Sequence, residues 1–353
     1  MCEKNKLYKH LKKGRFRVII YTRSVYMLTL KKNANKDFII LNLSDTQLSN
    51  EEWEDGHKNR QILEYTITEL VKRNKPDLIT ISGDLAWASN YHAYTMLATF
   101  LESFKTPWAF VFGNHDLQNG YEAADKVATE YLTYPHCIFE KGDPALGLGN
   151  YVLCVEEDEK IVQALIMLDS HDHAPFIDEN GEQKDAWAKL HPNQIGWYKE
   201  QVKILKDKGC TKSLMFMHIP NFAYMLAAKA AYKPSIVQAD LTIAQADGAD
   251  CWNEGYESSV GVQYENISCY PADDGVFAAI KETGLTQYIL VGHDHVNNFI
   301  INYEGVNFVF ALKTGAGCYW NPILNGGTVL KIGKDGIYEV KHDYVDISMF
   351  LQE

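Results

Sequence analysis

Five apolar runs of strand length each end in a polar cluster, and no other feature of the chain constrains its fold as strongly. "DFIILNLS" (37–44) is followed by Asp45-Thr46-Gln47, and "DLITIS" (77–82) by Gly83-Asp84. "WAFVFG" (108–113) leads into Asn114-His115-Asp116, "SLMFMH" (213–218) ends on His218, and "QYILVG" (287–292) leads into His293-Asp294-His295. Short apolar runs bounded by turn residues read as buried strands, and between several of them lie stretches of helical period. Leu63, Ile67, Leu70 and Val71 follow one helix face until Asn74-Lys75-Pro76 stops it. A second helix is expected from Tyr91 to Phe104, and a third from Pro192, with Ile195, Tyr198, Val202 and Leu205 on one side. Residues 150–155 and 161–169 are further strands.

Beyond His295 the character changes to strands without helices: "NFIINY", "NFVFAL", "GTVLKI" and "IYEVKHDY", punctuated by Gly305, Gly326-Gly327 and Asp335-Gly336. Two β-rich halves with helices outside predict an α/β protein, a two-sheet sandwich flanked by helices on both faces. No linker composition interrupts the chain. The expectation is a single domain over 37–353, preceded by a basic strand segment, 1–36, packed on it.

That segment carries eleven Lys and Arg against the single acid Glu3, a local balance of +10 within a formal net charge of −12, so the remainder stands at −22. A body this acidic repels a phosphate backbone, and nucleic acid is not the expected partner. "FRVIIYTRSVYMLTL" (16–30) is broken by Arg17 and Arg23 and lacks the shape of a secretory signal, and no run approaches the ~18–20 apolar residues needed to cross a bilayer. Seven cysteines without a C-x-x-C predict free thiols and a cytoplasmic protein, Cys251 and Cys269 included.

In open α/β sheets the carboxyl ends of strands converge on one crevice, so five clusters at five such ends predict one site. Asp, Asn and His are the donors of hard-to-borderline divalent metals, and the set is large enough for two ions sharing one carboxylate. Residues two apart on an extended chain share a side, which places His293 and His295 ~6–7 Å apart. Alone, an H-x-H pair is more often hydrogen-bonded than ligating. The second such pair, His171 and His173, reads as surface-loop histidines.

The ordered set D-x-Q, GD, GNHD, H and GHxH resembles the calcineurin-like metallophosphoesterase superfamily. "GHDHVNNF", "GLGNYVL" (147–153), "LDS" (168–170) and "HIP" (218–220) resemble its purple-acid-phosphatase-like branch. The resemblance implies a four-layer αββα fold and a phosphate monoester hydrolysed by in-line attack of a metal-bridging hydroxide. It implies a first metal on Asp45, Gln47, Asp84 and His295, and a second on Asp84, Asn114, His218 and His293. His115 is implied as the catalytic residue beside the pair, with Asp116 orienting its ring. A phosphodiesterase acting on a nucleotide, phospholipid or nucleic acid is the alternative, and a non-catalytic protein-binding scaffold is a third reading.

Two positions depart from the family pattern. Gln47 stands where a histidine is usual, and its neutral oxygen points to manganese or iron, with zinc the further candidate. Trp87 replaces the tyrosine that colours purple acid phosphatases, so no purple charge-transfer band is expected. The aromatic-rich span 221–286, with Phe222, Tyr224, Tyr232, Trp252, Tyr256, Tyr264 and Tyr270, joins two ligand strands and is expected beside the site.

Overall fold

The computed structural model describes residues 27–233 and 251–352. In chain order the elements are β1 (Leu28–Lys31), β2 (Phe38–Leu43), α1 (Lys58–Asn74), β3 (Leu78–Ser82), α2 (Tyr91–Ser103) and β4 (Trp108–Val111). There follow α3 (Asn114–Leu117), α4 (Tyr121–Tyr131), β5 (Tyr151–Glu157), β6 (Lys160–Met167), β7 (His173–Ile177), β8 (Gln183–Trp187), α5 (Pro192–Asp207) and β9 (Ser213–Phe216). The last are α6 (Ala223–Ala231), α7 (Val276–Thr283), β10 (Thr286–Val291), β11 (Ile300–Tyr303), β12 (Val306–Phe310), β13 (Gly326–Gly333) and β14 (Gly336–Tyr344).

Two mixed sheets form the centre: a seven-stranded one in the order β1-β5-β6-β9-β10-β12-β11 and a five-stranded one in the order β14-β13-β2-β3-β4. Residue alternation shows how they stack. Leu153, Val155, Leu165, Met167, Leu214, Phe216 and Leu290 of the larger sheet share a core with the smaller sheet and its helices α1, α2 and α4. Their neighbours Val152, Cys154, Ala164, Ile166, Met215, Ile289 and Val291 face the other way, onto α5, α6 and α7. Period-two alternation with both faces apolar is what a sheet buried on both sides requires. The result is the four-layer α/β sandwich expected from the sequence.

Local signals end the helices where the sequence places them. Lys75 takes a left-handed conformation (φ 48°) and donates its N–H to the Val71 carbonyl (2.8 Å), closing α1 one residue before Pro76. The sheets are tied by side chains as well as by packing. The Tyr151 hydroxyl at the start of β5 donates to the Phe110 carbonyl of β4 (2.7 Å), and Gln163 Oε1 of β6 accepts the Ile337 N–H of β14 (3.2 Å).

Of the basic segment, residues 27–36 are described. β1 pairs in parallel with β5 at the sheet edge, and Lys31 and Lys32 form ion pairs with Glu156 and Glu157. Residues 1–26 lie outside the described residues, as do 234–250 of the aromatic-rich span. Among the described cysteines Cys137, Cys154, Cys210, Cys251, Cys269 and Cys318 are all free thiols. No described helix is long and apolar enough to cross a membrane.

Candidate metal centre

β2, β3 and β4 run parallel in one sheet, β9 and β10 run parallel in the other, and all five C-terminal ends lead to the same place. The backbone there is tightly turned. Asp45 (φ 54°), Asp84 (φ 51°) and His293 (φ 80°) are left-handed without being glycine, a conformation that costs about 1–3 kcal/mol each and concentrates at functional sites. Two glycines allow the close approach. A Cβ on Gly83 (φ 95°) would lie 2.4 Å from His218 Nδ1, and one on Gly113 would lie 2.1 Å from Asp84 Oδ1.

Asp45, Asp84 and His295 each present a ligand atom, all within 4.8 Å of one another. His218 Nε2 lies 3.0 Å from Asn114 Oδ1, 3.3 Å from Asp84 Oδ2 and 4.0 Å from Asp45 Oδ1. His295 Nε2 is 3.5 Å from Asp45 Oδ1. The His293 ring centroid is 5.1 Å from that of His218, and its backbone N–H donates to the Asp45 carboxylate (3.2 and 3.3 Å). The fold thus brings together six of the seven sequence-predicted ligands by direct contact. Gln47, the seventh, is anchored through its backbone N–H on the Asp84 carbonyl (3.1 Å); its buried side chain has no hydrogen-bond partner at either amide atom.

This donor set fits divalent cations. His218 Nδ1 donates to the Ser82 carbonyl and His295 Nδ1 to the Tyr319 carbonyl, each at 2.7 Å, which turns both Nε2 lone pairs toward carboxylate oxygens. Lone pair facing lone pair is repulsive unless a proton or a cation lies between. Without a cation, protonation has to resolve it. Burial works against a charged His218, yet the Asp84 and Asp45 carboxylates outweigh it and push its pKa up to about 9. Burial likewise opposes ionised Asp45, but hydrogen bonding and charge from His295 hold it below the usual carboxylate range. His293 goes the other way: burial and neighbouring His218 push it down to about 3, leaving a neutral ring. His293 Nε2 and Asn114 Nδ2 join both Gln47 atoms as buried polar atoms without a partner. Orphaned polar atoms in such number are costly in a folded protein and mark a place for a ligand.

His115 stands beside this cluster. Its N–H donates to Asp84 Oδ1 (3.0 Å), its Nε2 lies 4.0 Å from Asp84 Oδ2, and its ring meets Trp87 at a centroid distance of 4.3 Å. The expected orienting role of Asp116 is not what the geometry shows. Asp116 is buried, and its carboxylate accepts the N–H groups of Gly113 (2.7 Å) and Leu85 (3.1 Å) and the Tyr94 hydroxyl (2.8 Å). It clamps the two ligand loops together instead. Successive side chains on a helical turn diverge by ~100°, whereas residues three apart share a face, so Gln118 Nε2 reaches His115 Nδ1 at 2.8 Å. That spacing was the available signal for Gln118.

Other neighbours came without one. The Trp187 ring, on the β7–β8 hairpin, packs edge-on against His293 (4.4 Å), and Tyr319 stacks on His295 (4.1 Å). Buried Lys313 donates its Nζ to the Asp45 carbonyl (2.7 Å). The second H-x-H pair is divided. His171 Nε2 bonds Gln194 Oε1 (2.7 Å) and its ring stacks on His191, while His173 opens β7 and lies against Trp187. In the aromatic span, Tyr224, Tyr232 and Trp252 are buried in the outer core. Its 263–268 stretch does flank the centre: Ser268 N–H donates to Asp294 and Glu265 Oε1 accepts the Val296 N–H.

A sequence profile of the calcineurin-like phosphoesterases matches residues 38–297, most of the chain. The chain is 24% identical over 271 residues to "probable inactive purple acid phosphatase 14" of Arabidopsis thaliana, covering 69% of this chain and 60% of that one. It is 24% identical over 277 residues to "probable inactive purple acid phosphatase 29" of the same plant, covering 72% and 63%. Against "phosphatase DCR2" of Saccharomyces cerevisiae it is 23% identical over 297 residues, covering 78% and 45%. The chain therefore spans about three fifths or less of the length of these curated relatives. Among solved structures it is similar to NAD nucleotidase of Haemophilus influenzae (TM-score 0.41, 14% identity, 87% of this chain and 49% of that chain), a likeness too slight to carry an argument. With the profile matched over most of its length and a buried Asp/His cluster at the strand ends, the chain belongs to the calcineurin-like phosphoesterase family.

Proposed function

We propose that this protein is a two-metal hydrolase of phosphate monoesters. The reading is carried by one observation: Asp45, Asp84 and His295 converge within 4.8 Å, beside the buried, partnerless Gln47 Oε1 and His293 Nε2 and with Asn114 Oδ1 3.0 Å from His218 Nε2. Asp45, Gln47, Asp84 and His295 would hold one ion, and Asp84, Asn114, His218 and His293 the other, with Asp84 shared. When bound, a metal pair of this kind lowers the pKa of coordinated water and polarises the phosphoryl group.

The chain's own residues do the rest. Ser82 and Tyr319 fix the rings of His218 and His295 through their carbonyls, so the ligand nitrogens need no reorientation. Asp116 holds the Asp84 and Asn114 loops in register through its carboxylate, which accepts the backbone N–H groups of Leu85 and Gly113. Gln118 donates an amide hydrogen to His115 Nδ1, which leaves the imidazole proton on Nε2, the atom turned toward Asp84. From there the Nε2–H donates a hydrogen bond to the leaving oxygen of the ester and stabilises the charge that develops on it.

The test is phosphate release by the full chain, purified without chelator, across a series of manganese, iron and zinc. p-Nitrophenyl phosphate turned over faster than bis(p-nitrophenyl) phosphate is the expected result. Preference for the diester moves the substrate class, and no hydrolysis with any metal rejects the reading in favour of a scaffold.

A further inference from the structure

The organic part of any ester whose phosphoryl group enters the metal cluster has to lie against side chains that border it. Three aromatic rings stand there, each packed on a different imidazole: Trp87 on His115 (4.3 Å), Trp187 on His293 (4.4 Å) and Tyr319 on His295 (4.1 Å). They come from three separate segments, the loop after β3, the β7–β8 hairpin and the loop after β12. No single packing requirement of the core accounts for all three, since the two tryptophans are only half-buried and Tyr319 is 50% exposed.

Tyr319 is also held rigid. Its carbonyl accepts the His295 Nδ1–H at 2.7 Å and its hydroxyl donates to Glu265 Oε2 at 2.8 Å, so the ring is fixed before any ligand arrives. A preorganised ring surrenders little conformational entropy on binding. Charge selects for little else. The two described arginines, Arg60 and Arg73, lie on α1 and are paired with Glu64 and Asp343. Lys189 rests over the Tyr270 ring (3.9 Å), while Asp172 and Asp185 flank His173 at 3.4 and 3.0 Å. Among the described residues nothing offers a guanidinium clamp for a second anionic group.

We infer that the centre selects phosphate esters whose alcohol carries a planar aromatic ring, with Tyr319 and Trp187 as the specificity-determining residues. The inference rests on the phosphoesterase reading above. Stacking and edge contacts of this kind correspond to about tenfold in kcat/KM.

Benzyl phosphate and cyclohexylmethyl phosphate test it, being close in size and leaving-group basicity but differing in planarity. The metal-loaded full chain is expected to favour the benzyl ester about tenfold, chiefly through KM. The non-hydrolysable benzylphosphonate should bind correspondingly more tightly than its cyclohexyl analogue by calorimetry. Tyr319→Leu and Trp187→Leu should each compress the preference to within about twofold, with metal content by elemental analysis unchanged. Equal turnover of both esters by the native protein overturns the aromatic selectivity and leaves the phosphoesterase reading standing. A proportional loss on both esters accompanied by metal loss in the variants assigns the rings to ligand support alone and overturns it equally. Failure to hydrolyse either ester or bind either phosphonate removes both readings.

Discussion

Asp84 combines a left-handed backbone, a hydrogen bond from the His115 N–H on one oxygen and the close approach of His218 Nε2 to the other. Neutralising it without changing its shape isolates the charge. Asp84→Asn is expected to lower metal content from about two per chain to one or none and turnover by about 10³-fold, read by elemental analysis and a chromogenic ester assay. His115→Ala should separate those two readouts. Turnover of esters with poor leaving groups falls about 10²–10³-fold while metal content holds, and equal loss of both would reject its role in stabilising the leaving oxygen. At this scale the residues of the candidate centre were legible because an Asp, Asn or His at the end of an apolar run stands out against it. The contacts of Gln118, Trp187, Tyr319 and Lys313 were not, because each is set by where a distant segment is carried in three dimensions. Asp116 was legible as a site residue and misread in role, since its direction depends on the turn geometry of α3.

Turns and strand pairs show a similar division. The β2, β3 and β10 strands follow from their apolar runs, but the β7–β8 hairpin does not: "HAPFI" contains Pro175 and alternates weakly, and its pairing is an edge ribbon outside both main sheets. The turn after β3 is the least forgiving element. Gly83→Ala forces a Cβ to within 2.4 Å of the His218 ring at a φ that disfavours side chains. A loss of about 2–4 kcal/mol is expected, measurable as a lower Tm together with a fall in metal content. On the β13–β14 pair, His342 Nδ1 accepts from the Thr328 hydroxyl (3.1 Å) and Nε2 donates to the Asn298 carbonyl. Burial pushes its pKa down to about 4, so the folded protein keeps it neutral where the unfolded chain, titrating near 6.5, binds a proton. Its contribution is fully present above about pH 6.5 and is lost as pH falls toward 4; for a half-buried ring this amounts to about 2 kcal/mol. Denaturant melts at pH 7 and pH 5, which cover a little over half of that window, should show a stability drop smaller by about 1 kcal/mol in His342→Gln.

For the molecule as a whole, the four-layer order was readable because the strands of both sheets are near-continuous apolar runs and helices alternate with strands in the first half. The pairing of β1 with β5 was hidden within a segment read mainly for its charge. The two sheets meet with their parallel strand ends on one crevice, so the stability of the sandwich and the occupancy of the centre are coupled. Removing bound metal by chelation is expected to lower stability by about 3 kcal/mol, with Tm restored on adding manganese; an unchanged Tm would argue against resident metal. The most direct test is anomalous scattering from crystals of the full chain grown with manganese. Two peaks are predicted, one on each side of the Asp84 carboxylate, the first among Asp45, Gln47 and His295 and the second among Asn114, His218 and His293. A map with no peak within about 2.5 Å of Asp84 would contradict the account.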